Sequence, residues 1–193
     1  MPKAKFDQRK ALHAMLFVVT HLPKLANVYN VLKCLYYADR KQLQEYGRQI
    51  YGDTFYALEC GPMPSGAYDI VKYVGGRAKW DLNFPEALGL LEVHGDSLGV
   101  HGDPDTDLLS RSDMTCLLEA ARKYGKMPFG KLKKLSRQGK AFENADANSE
   151  MKLADLIDEL RDGEAIAAHL KDRNPGEAHA KRESAHHARP RAV

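Results

Sequence analysis

Histidine and aspartate, side chains that commonly hold metal ions, are concentrated in one short stretch, VHGDSLGVHGDPDTD. Its candidate ligands are His94, Asp96, His101, Asp103, Asp105 and Asp107. The spacing fails the test for a calcium-binding loop, because Leu108 stands where the loop needs glycine and Met114 where it needs glutamate. Two histidines on adjacent strands could share a transition metal. We favour turn aspartates and ordinary strand histidines, and predict no metal site.

Cys60, directly before Gly61 and Pro62, is the remaining candidate for chemistry, as a nucleophile. A nucleophile needs a base within reach, and no motif nominates a histidine partner. The sequence has no nucleophile elbow, no paired-histidine metalloprotease helix and no glycine-rich phosphate loop. The three cysteines are too scattered for a disulfide framework or a paired-cysteine zinc site. We therefore predict no catalytic residue and no cofactor.

Composition indicates one globular domain with a basic end. The chain has 193 residues, 44% of them hydrophobic, and a net charge of +3, so it can bury a core without disulfides. From Lys171 onward six Lys or Arg face three acids, which leaves 23 of each sign in the preceding part. A balanced body does not predict a strong duplex-DNA footprint. The sequence has no long apolar run and no secretory signal, so we expect a cytoplasmic protein that contacts no membrane.

The N-terminal quarter of the chain predicts three helices. Asp7 can cap a first helix, whose apolar residues follow helical spacing until Pro23 stops it. A second helix is expected over residues 25–36, where apolar residues recur three or four apart. Asp39 can cap a short third helix that ends at Gly47, where glycine supplies the left-handed residue.

Short strands are predicted among these helices. Residues 54–59 suit a strand that Gly61 and Pro62 break, and Ser65 can cap a helix through Val74. The stretch LEVHGDSLGVHG predicts a hairpin with strands at 91–94 and 98–101. The sheet is therefore expected to be small and antiparallel.

The C-terminal half predicts more helices and then a tail. Ser110 and Asp113 resemble a capping box, Pro128 begins another helix, and Gly163 separates two final helical pieces. Residues 138–149 are polar and are expected to form a loop. We predict a mainly α (α+β) fold, a compact helical domain over residues 1–173 with a small antiparallel sheet or hairpin. A disordered basic tail, 174–193, is expected to follow.

Tyrosine is the one residue type whose distribution rises above background. Eight of the nine tyrosines lie between residues 29 and 73: Tyr29, Tyr36, Tyr37, Tyr46, Tyr51, Tyr56, Tyr68 and Tyr73. Tyrosine gives a large contact area with few torsions and a polar tip, so it is enriched at binding surfaces. A half-buried ring with an internally bonded hydroxyl is the alternative for any single tyrosine. As a cluster, the tyrosines indicate a protein-binding surface framed by glycine and proline turns.

The run VLKCLYYADRKQLQEYGRQIYGDTFYALECGPMPSGAYDIV resembles the Panacea, or SocA-like, antitoxin domain of bacteria and phages. The matching elements are Leu35-Tyr36-Tyr37-Ala38-Asp39, Tyr46-Gly47-Arg48, Gly52-Asp53-Thr54 with Tyr56 and Ala57, and Gly61-Pro62-Met63-Pro64-Ser65. The family more often has valine where Met63 stands. The resemblance covers residues 24–74 and extends through DMTCLLEAARKYGKMPFGKLKKLSR, which gives a motif core of 24–137.

The resemblance implies an antitoxin, not an enzyme, that is encoded beside its toxin. It implies neutralisation by direct binding, or by acting as an adaptor that presents the toxin to a AAA+ protease. The family pairs with unrelated toxins, so the domain does not name its partner. The toxin-binding candidates are Tyr37, Asp39, Asp53, Thr54, Tyr56, Pro62, Met63 and Tyr68.

Two other classes of function remain as alternatives. The first is a DNA-binding transcriptional regulator, whose basic tail would neutralise phosphates without reading sequence. The second and weaker alternative is a cysteine- or metal-dependent hydrolase built around Cys60 or the histidines.

Overall fold

The computed structural model describes residues 5–22, 26–77 and 83–172, so the predicted tail at 174–193 lies outside the described residues. Its helices are α1 Gln8–Thr20, α2 Val28–Tyr46, α3 Ser65–Val74, α4 Pro85–Leu90, α5 Arg111–Tyr124, α6 Phe129–Ser136, α7 Lys140–Glu143, α8 Leu153–Asp158 and α9 Gly163–Asp172. Its strands are β1 Ala26–Asn27, β2 Phe55–Leu58, β3 Gly61–Pro64, β4 Leu91–His94 and β5 Ser97–Val100. The predicted mainly α (α+β) fold with small antiparallel sheets is confirmed. Within these ranges no helix is both long and apolar enough to span a bilayer.

The first helix forms as its sequence predicts. The Asp7 carboxylate accepts a hydrogen bond from the backbone N–H of Lys10 at 2.9 Å, which satisfies one of the free donors at the start of α1. Residues 11–19 are all buried, so α1 is enclosed on every side and runs through the core.

The prediction of two helices over residues 25–47 is wrong, because α2 is continuous from Val28 to Tyr46. Asn27 caps it by accepting from the N–H of Tyr29 at 2.9 Å. Asp39 does not begin a new helix, because its carboxylate is bound by the segment that follows Gly47. The end of α2 is predicted correctly, with Gly47 in the left-handed conformation at φ 63°.

Strands β2 and β3 form an antiparallel hairpin in which Phe55 pairs with Pro64 and Leu58 with Gly61. The predicted strand over residues 54–59 forms as β2 and ends before Gly61, but the sequence did not predict that Gly61 and Pro62 begin a second strand, β3. Backbone bonds from residues 148–151 cover the other edge of β2, with Ala57 donating to the Ser149 carbonyl at 2.9 Å. The N–H of Ala57 thus points away from β3.

The outer edge of β3 carries no backbone donor at Pro62 or Pro64. Pro62 lies opposite Ala57 and Pro64 opposite Phe55, and the carbonyl of Phe55 accepts from Met151 on the far side of β2. In these pairs the backbone nitrogens face outward, and on β3 both nitrogens belong to proline, which has no N–H. Proline is tolerated in this strand because β3 is an edge strand.

The second sheet has the strand order β1-β5-β4 and is antiparallel throughout. The predicted hairpin is confirmed, with β5 starting one residue earlier than expected at Ser97. Gly95 makes the turn with φ 60°, a conformation that glycine adopts without strain.

The apolar core has two clusters, and both pack on α2. The larger cluster joins α1, the first half of α2, α3 and α5. The smaller cluster packs Tyr36, Leu43 and Phe55 against Met151 and the α8 residues Leu156 and Ile157. α2 therefore holds the N-terminal and C-terminal parts of the described chain together.

The C-terminal half follows the predicted helix starts with one exception. Ser110 and Asp113 form a capping box, and Asp113 is also held by Lys10 at 2.8 Å and Arg48 at 2.7 Å. The polar segment 138–149 is not entirely loop, because it contains α7. Ala141 explains the difference: it is fully buried in the smaller cluster and fixes this turn of helix.

Candidate functional site

A groove of about 500 Å³ opens between the second half of α2, the end of α5 and the end of α6. We call it the tyrosine groove. It is lined by Tyr36, Tyr37, Arg40, Lys41, Gln44, Glu45, Lys123, Tyr124, Leu135, Ser136 and Gln138. Tyr37 and Tyr124 stack there with ring centroids 3.9 Å apart and planes inclined by 15°. Stacking fixes both rings before any ligand arrives, which lowers the entropy cost of binding.

The floor of the tyrosine groove is held by hydrogen bonds of Arg40, within α2 and to the residue that follows α8. The hydroxyl of Tyr36, whose side chain is 2% exposed, accepts from Arg40 at 3.4 Å. Arg40 also donates to Glu159 at 2.7 Å. Burial raises the pKa of Tyr36 and of Tyr37, so both phenols stay protonated at neutral pH and can donate hydrogen bonds.

The rim of the groove is polar. Lys41 forms an ion pair with Glu119, and the Lys123 ammonium lies 5.2 Å from the centre of the Tyr124 ring. Gln44 and Gln138 add neutral donors and acceptors. An aromatic centre inside a polar rim is the arrangement found at protein–protein contacts.

Of the predicted binding residues, Tyr37 lies in this groove and Asp39 lies beneath it. Asp39 is fully buried, and its carboxylate accepts from the Ile50 N–H at 2.5 Å and the Gln49 side-chain amide at 2.9 Å. Burial raises the pKa of Asp39 to about 7. In this conformation Asp39 supports the turn after α2 and is inaccessible to a partner.

Asp53 also lies inside, where it performs the capping that the sequence suggested for Ser65. The N-cap residue of α3 is Pro64, and no side chain at that position caps the helix. Instead the Asp53 carboxylate accepts from the backbone N–H groups of Gly66 at 2.7 Å and Ala67 at 2.9 Å, and from Thr54 at 2.7 Å. The prediction that Ser65 caps α3 is thereby corrected.

The remaining predicted residues do not converge on one site. Pro62 and Met63 are buried in β3. Thr54 lines a separate groove of about 310 Å³ beside residues 150–154, and Tyr68 lines another of about 430 Å³ beside Tyr29 and Phe129. Tyr56 pairs with Glu150 through an isolated β-bridge. The structure thus distributes the eight residues over the hairpin, the core and three grooves.

The tyrosines as a group are neither sealed in the core nor gathered on one face. Tyr36 and Tyr51 are each 2% exposed, whereas Tyr46 is 49% exposed. Tyr29, Tyr37, Tyr56, Tyr68 and Tyr73 are half-buried. Two tyrosines therefore belong to the core, and the others leave part of a ring available for contact.

The candidates for chemistry are not assembled for it in the described part of the chain. Cys60 is half-buried in the groove that Tyr68 lines, and no described residue of that lining is a histidine. His94 and His101 both approach one oxygen of Glu92, at 3.1 and 3.3 Å, but all three are well exposed. No group of three or more His, Cys, Asp or Glu among the described residues could hold a metal ion.

Lys33 is a buried cation that the sequence did not single out. Its side chain is fully buried beneath α6, and its ammonium donates to the Pro62 carbonyl. A Cβ placed on Gly61 would lie 2.5 Å from the Ser136 hydroxyl and 3.2 Å from the Lys33 ammonium. Burial lowers the pKa of Lys33 to about 7. Lys33 therefore lies where α2, β3 and α6 meet. The packing there leaves room only for glycine at position 61.

Comparison with known proteins assigns a family to this chain. The model of the SocA-like antitoxin, Panacea domain, matches residues 31–141. The chain belongs to this family. Every residue that lines the tyrosine groove lies within the matched Panacea range, whereas the grooves lined by Thr54 and by Tyr68 include residues outside it. No curated protein and no solved structure matches the chain.

Membership in the Panacea family supports an antitoxin role in general, and so a binding role rather than a catalytic one. Sequence reasoning missed the groove-lining residues on α5, on α6 and just after it: Lys123, Tyr124, Leu135, Ser136 and Gln138. The stacked rings are 87 positions apart, and no local pattern connects such distant residues. The extension of the resemblance through RKYGK was the one available signal, because it places Tyr124 inside the family motif.

Proposed function

We propose that this chain neutralises a protein toxin, encoded beside it, by binding the toxin directly through the tyrosine groove. The observation that supports this proposal is the pair of stacked rings, Tyr37 and Tyr124, in a groove lined only by family-matched residues. A preformed aromatic centre with a polar rim has the composition of a binding hot spot. The toxin would insert an apolar or aromatic side chain against the two rings and bond its backbone to the rim.

The proposal reduces the predicted toxin-binding set. Tyr37 keeps its role, and Tyr124, Gln44 and Gln138 join it. Asp39, Asp53, Pro62 and Met63 act by shaping the scaffold, because the folded chain hides their side chains. Thr54, Tyr56 and Tyr68 lie on other surfaces and are not needed for a contact centred on the groove.

Co-expression with the product of the neighbouring gene tests the proposal. Wild-type protein should restore growth and co-purify with that product. Tyr124→Ala should weaken the complex roughly 30-fold or more, since it removes one ring of the stacked pair at the centre of the contact. Tyr46→Ala is the matched control, because Tyr46 is exposed and lies outside the groove.

Folding and mechanism need separate readouts. Circular dichroism and the melting temperature of each variant show whether lost binding reflects lost structure. Direct inhibition predicts that the two purified proteins alone abolish toxicity in a translation or replication assay, whereas an adaptor also requires a AAA+ protease. Equal loss from Tyr46→Ala, or full rescue by folded Tyr124→Ala, would contradict the groove as the toxin site.

A further inference from the structure

One segment of the chain carries cations without any acids. Residues 120–142 contain eight Lys or Arg and no Asp or Glu, which leaves 21 basic and 26 acidic residues in the rest of the chain. The cations are Arg122, Lys123, Lys126, Lys131, Lys133, Lys134, Arg137 and Lys140. We call this segment the basic strip. The net charge of the chain does not reveal the basic strip, because the rest of the chain has more acidic than basic residues.

The structure places these charges at the surface. All eight cations are exposed except Lys133, which is half-buried. Within the described ranges only Lys133 has a carboxylate partner, Glu59 at 3.3 Å. Several cations on other elements are paired with carboxylates, as in Arg9 with Glu86 and Arg40 with Glu159. Seven cations without a carboxylate partner, between the end of α5 and the start of α7, create a strong local positive potential.

The backbone of the basic strip is held firmly. The side-chain amide of Asn30, which is buried, donates to the carbonyls of Tyr124, Gly125 and Met127 at 3.1, 3.1 and 2.9 Å. This fixes the turn between α5 and α6. The cations of α6 therefore project from a preformed helix, with Lys131 and Lys134 one turn apart.

Aromatic rings are interleaved with the cations. Phe129, at the start of α6, is 52% exposed although it is a large apolar side chain. Tyr124 and Phe142 lie on either side of it in the chain, under Lys123 and Arg137 at 5.2 and 5.5 Å. Cations that follow a phosphate backbone, combined with rings on which bases stack, are the two components of single-strand binding.

We propose that the basic strip binds single-stranded nucleic acid through its phosphates, with Phe129 stacking on a base. Six of the eight cations are lysines, a residue depleted from the cores of protein interfaces, so phosphate fits this surface better than an acidic protein face. This site lies in the folded body and is distinct from the tail. The strip shares Lys123 and Tyr124 with the tyrosine groove, but Lys131, Lys134 and Phe129 do not line that groove, so variants at these three residues separate the two functions.

Fluorescence anisotropy of the full chain with a labelled oligouridylate of about 20 nucleotides tests the site. Affinity should fall about 100-fold from roughly 50 to 200 mM salt. The double variant Lys131→Glu, Lys134→Glu should bind at least about tenfold more weakly, with a salt slope shallower by roughly one unit. Phe129→Ala should lower affinity on the order of tenfold and leave the salt slope unchanged.

The matched control is the double variant Lys152→Glu, Lys171→Glu, which makes the same change in net charge at exposed lysines outside the strip. It should bind as wild type does, and circular dichroism should show all variants folded. Equal weakening by the control would overturn the proposal, because bulk charge would then explain binding. Equal affinity for a duplex of the same length would overturn the single-strand assignment.

Two further results would contradict nucleic-acid binding by the basic strip. Loss of all binding on removal of residues 173–193 would assign it to the tail and overturn the proposal. A Lys131, Lys134 reversal that abolished binding of the neighbouring gene product, yet left nucleic-acid affinity intact, would make the strip an acidic-protein site instead. Failure of the toxin test would leave this proposal standing, because the two sets of variants do not overlap.

Discussion

Lys33 lies under α6 with its ammonium against the carbonyl of Pro62 and with no part of its side chain exposed. A protonated amine in this position gives up hydration that one carbonyl does not replace, so burial lowers its pKa to about 7. The unfolded chain keeps the ordinary lysine pKa near 10.5. Between these values the unfolded state binds more protons than the folded state, so stability rises with pH.

Lys33→Met should remove this pH dependence. Relative to the variant, the wild type should gain about 1 kcal/mol of unfolding free energy per pH unit from about pH 7 to pH 10. Urea denaturation at several pH values measures the difference. Lys131→Met, at an exposed lysine, is the control and should follow the wild-type curve. Parallel curves for Lys33→Met and wild type would show that Lys33 keeps an ordinary pKa in the fold.

Residue roles were predictable from the sequence only where the partner is local. Asp7, Ser110 and Asp113 act within three residues of their own positions, and their capping was predicted correctly. Asp39 and Asp53 have the same capping chemistry, but they act on donors 11 to 14 positions away. Asp39 was therefore given the wrong helix start, because a distant backbone N–H competes successfully for its carboxylate.

At the scale of elements, α3 depends on a carboxylate that precedes the hairpin. Asp53 binds two of the free N–H groups at the start of α3 and thereby joins the helix to the entrance of β2. A charge at a helix N-terminus also interacts favourably with the helix dipole. The hairpin and α3 are thus expected to unfold as one unit.

Asp53→Ala should destabilise the protein by about 2 to 3 kcal/mol, since two buried donors lose their acceptor. Ser65→Ala should cost less than about 0.5 kcal/mol, because the Ser65 hydroxyl does not cap α3. Chemical denaturation of the two variants distinguishes the caps. A cost for Ser65→Ala that equals that of Asp53→Ala would restore Ser65 as the capping residue.

Helices and strands were predicted well where the apolar periodicity is strong. They were predicted less well where glycine and proline are compatible with two different structures. α1, α5 and the β4-β5 hairpin were predicted from periodicity, caps and turns to within a few residues. Gly61 and Pro62 look like a strand break, but the same residues suit an edge strand packed closely against a helix. The choice between a strand break and an edge strand depends on the fold, in which Lys33 and Ser136 lie beside Gly61.

At the scale of the whole molecule, the match to the family ends at residue 141, whereas the second core cluster draws Met151, Leu156, Ile157, Leu160 and Ile166 from beyond it. These residues cover Tyr36, Leu43 and Phe55, which belong to the matched range. The family-defining segment therefore depends on residues outside it for its packing.

A fragment of residues 1–141 should fail to unfold cooperatively and should bind a hydrophobic dye. Each buried aliphatic residue that it loses contributes about 2 to 5 kcal/mol, and together they match the whole stability of an ordinary domain. Calorimetry and dye fluorescence measure both effects, with residues 1–172 as the control. A sharp transition at the control temperature would show that the smaller cluster is dispensable.

The distribution of charge is a property of the whole molecule that the net charge does not reveal. The count of 23 basic and 23 acidic residues before Lys171 does not describe any one surface, because acids and bases are segregated along the chain. Residues 120–142 stand out in the sequence alone, because they contain eight Lys or Arg and no Asp or Glu. Which of those cations remain unpaired depends on the fold, since Glu59 reaches Lys133 from a different element.

The two prolines of β3 also limit how a partner can approach. Residues 148–151 already pair with β2 through Ala57 and the Phe55 carbonyl, and the proline nitrogens of Pro62 and Pro64 leave the outer margin of β3 without an amide donor at these two positions. The loss of these two donors disfavours extension of the hairpin by strand addition at β3. A partner that binds near the hairpin would therefore contact mainly side chains. Side chains can change by mutation while the backbone beneath them stays the same.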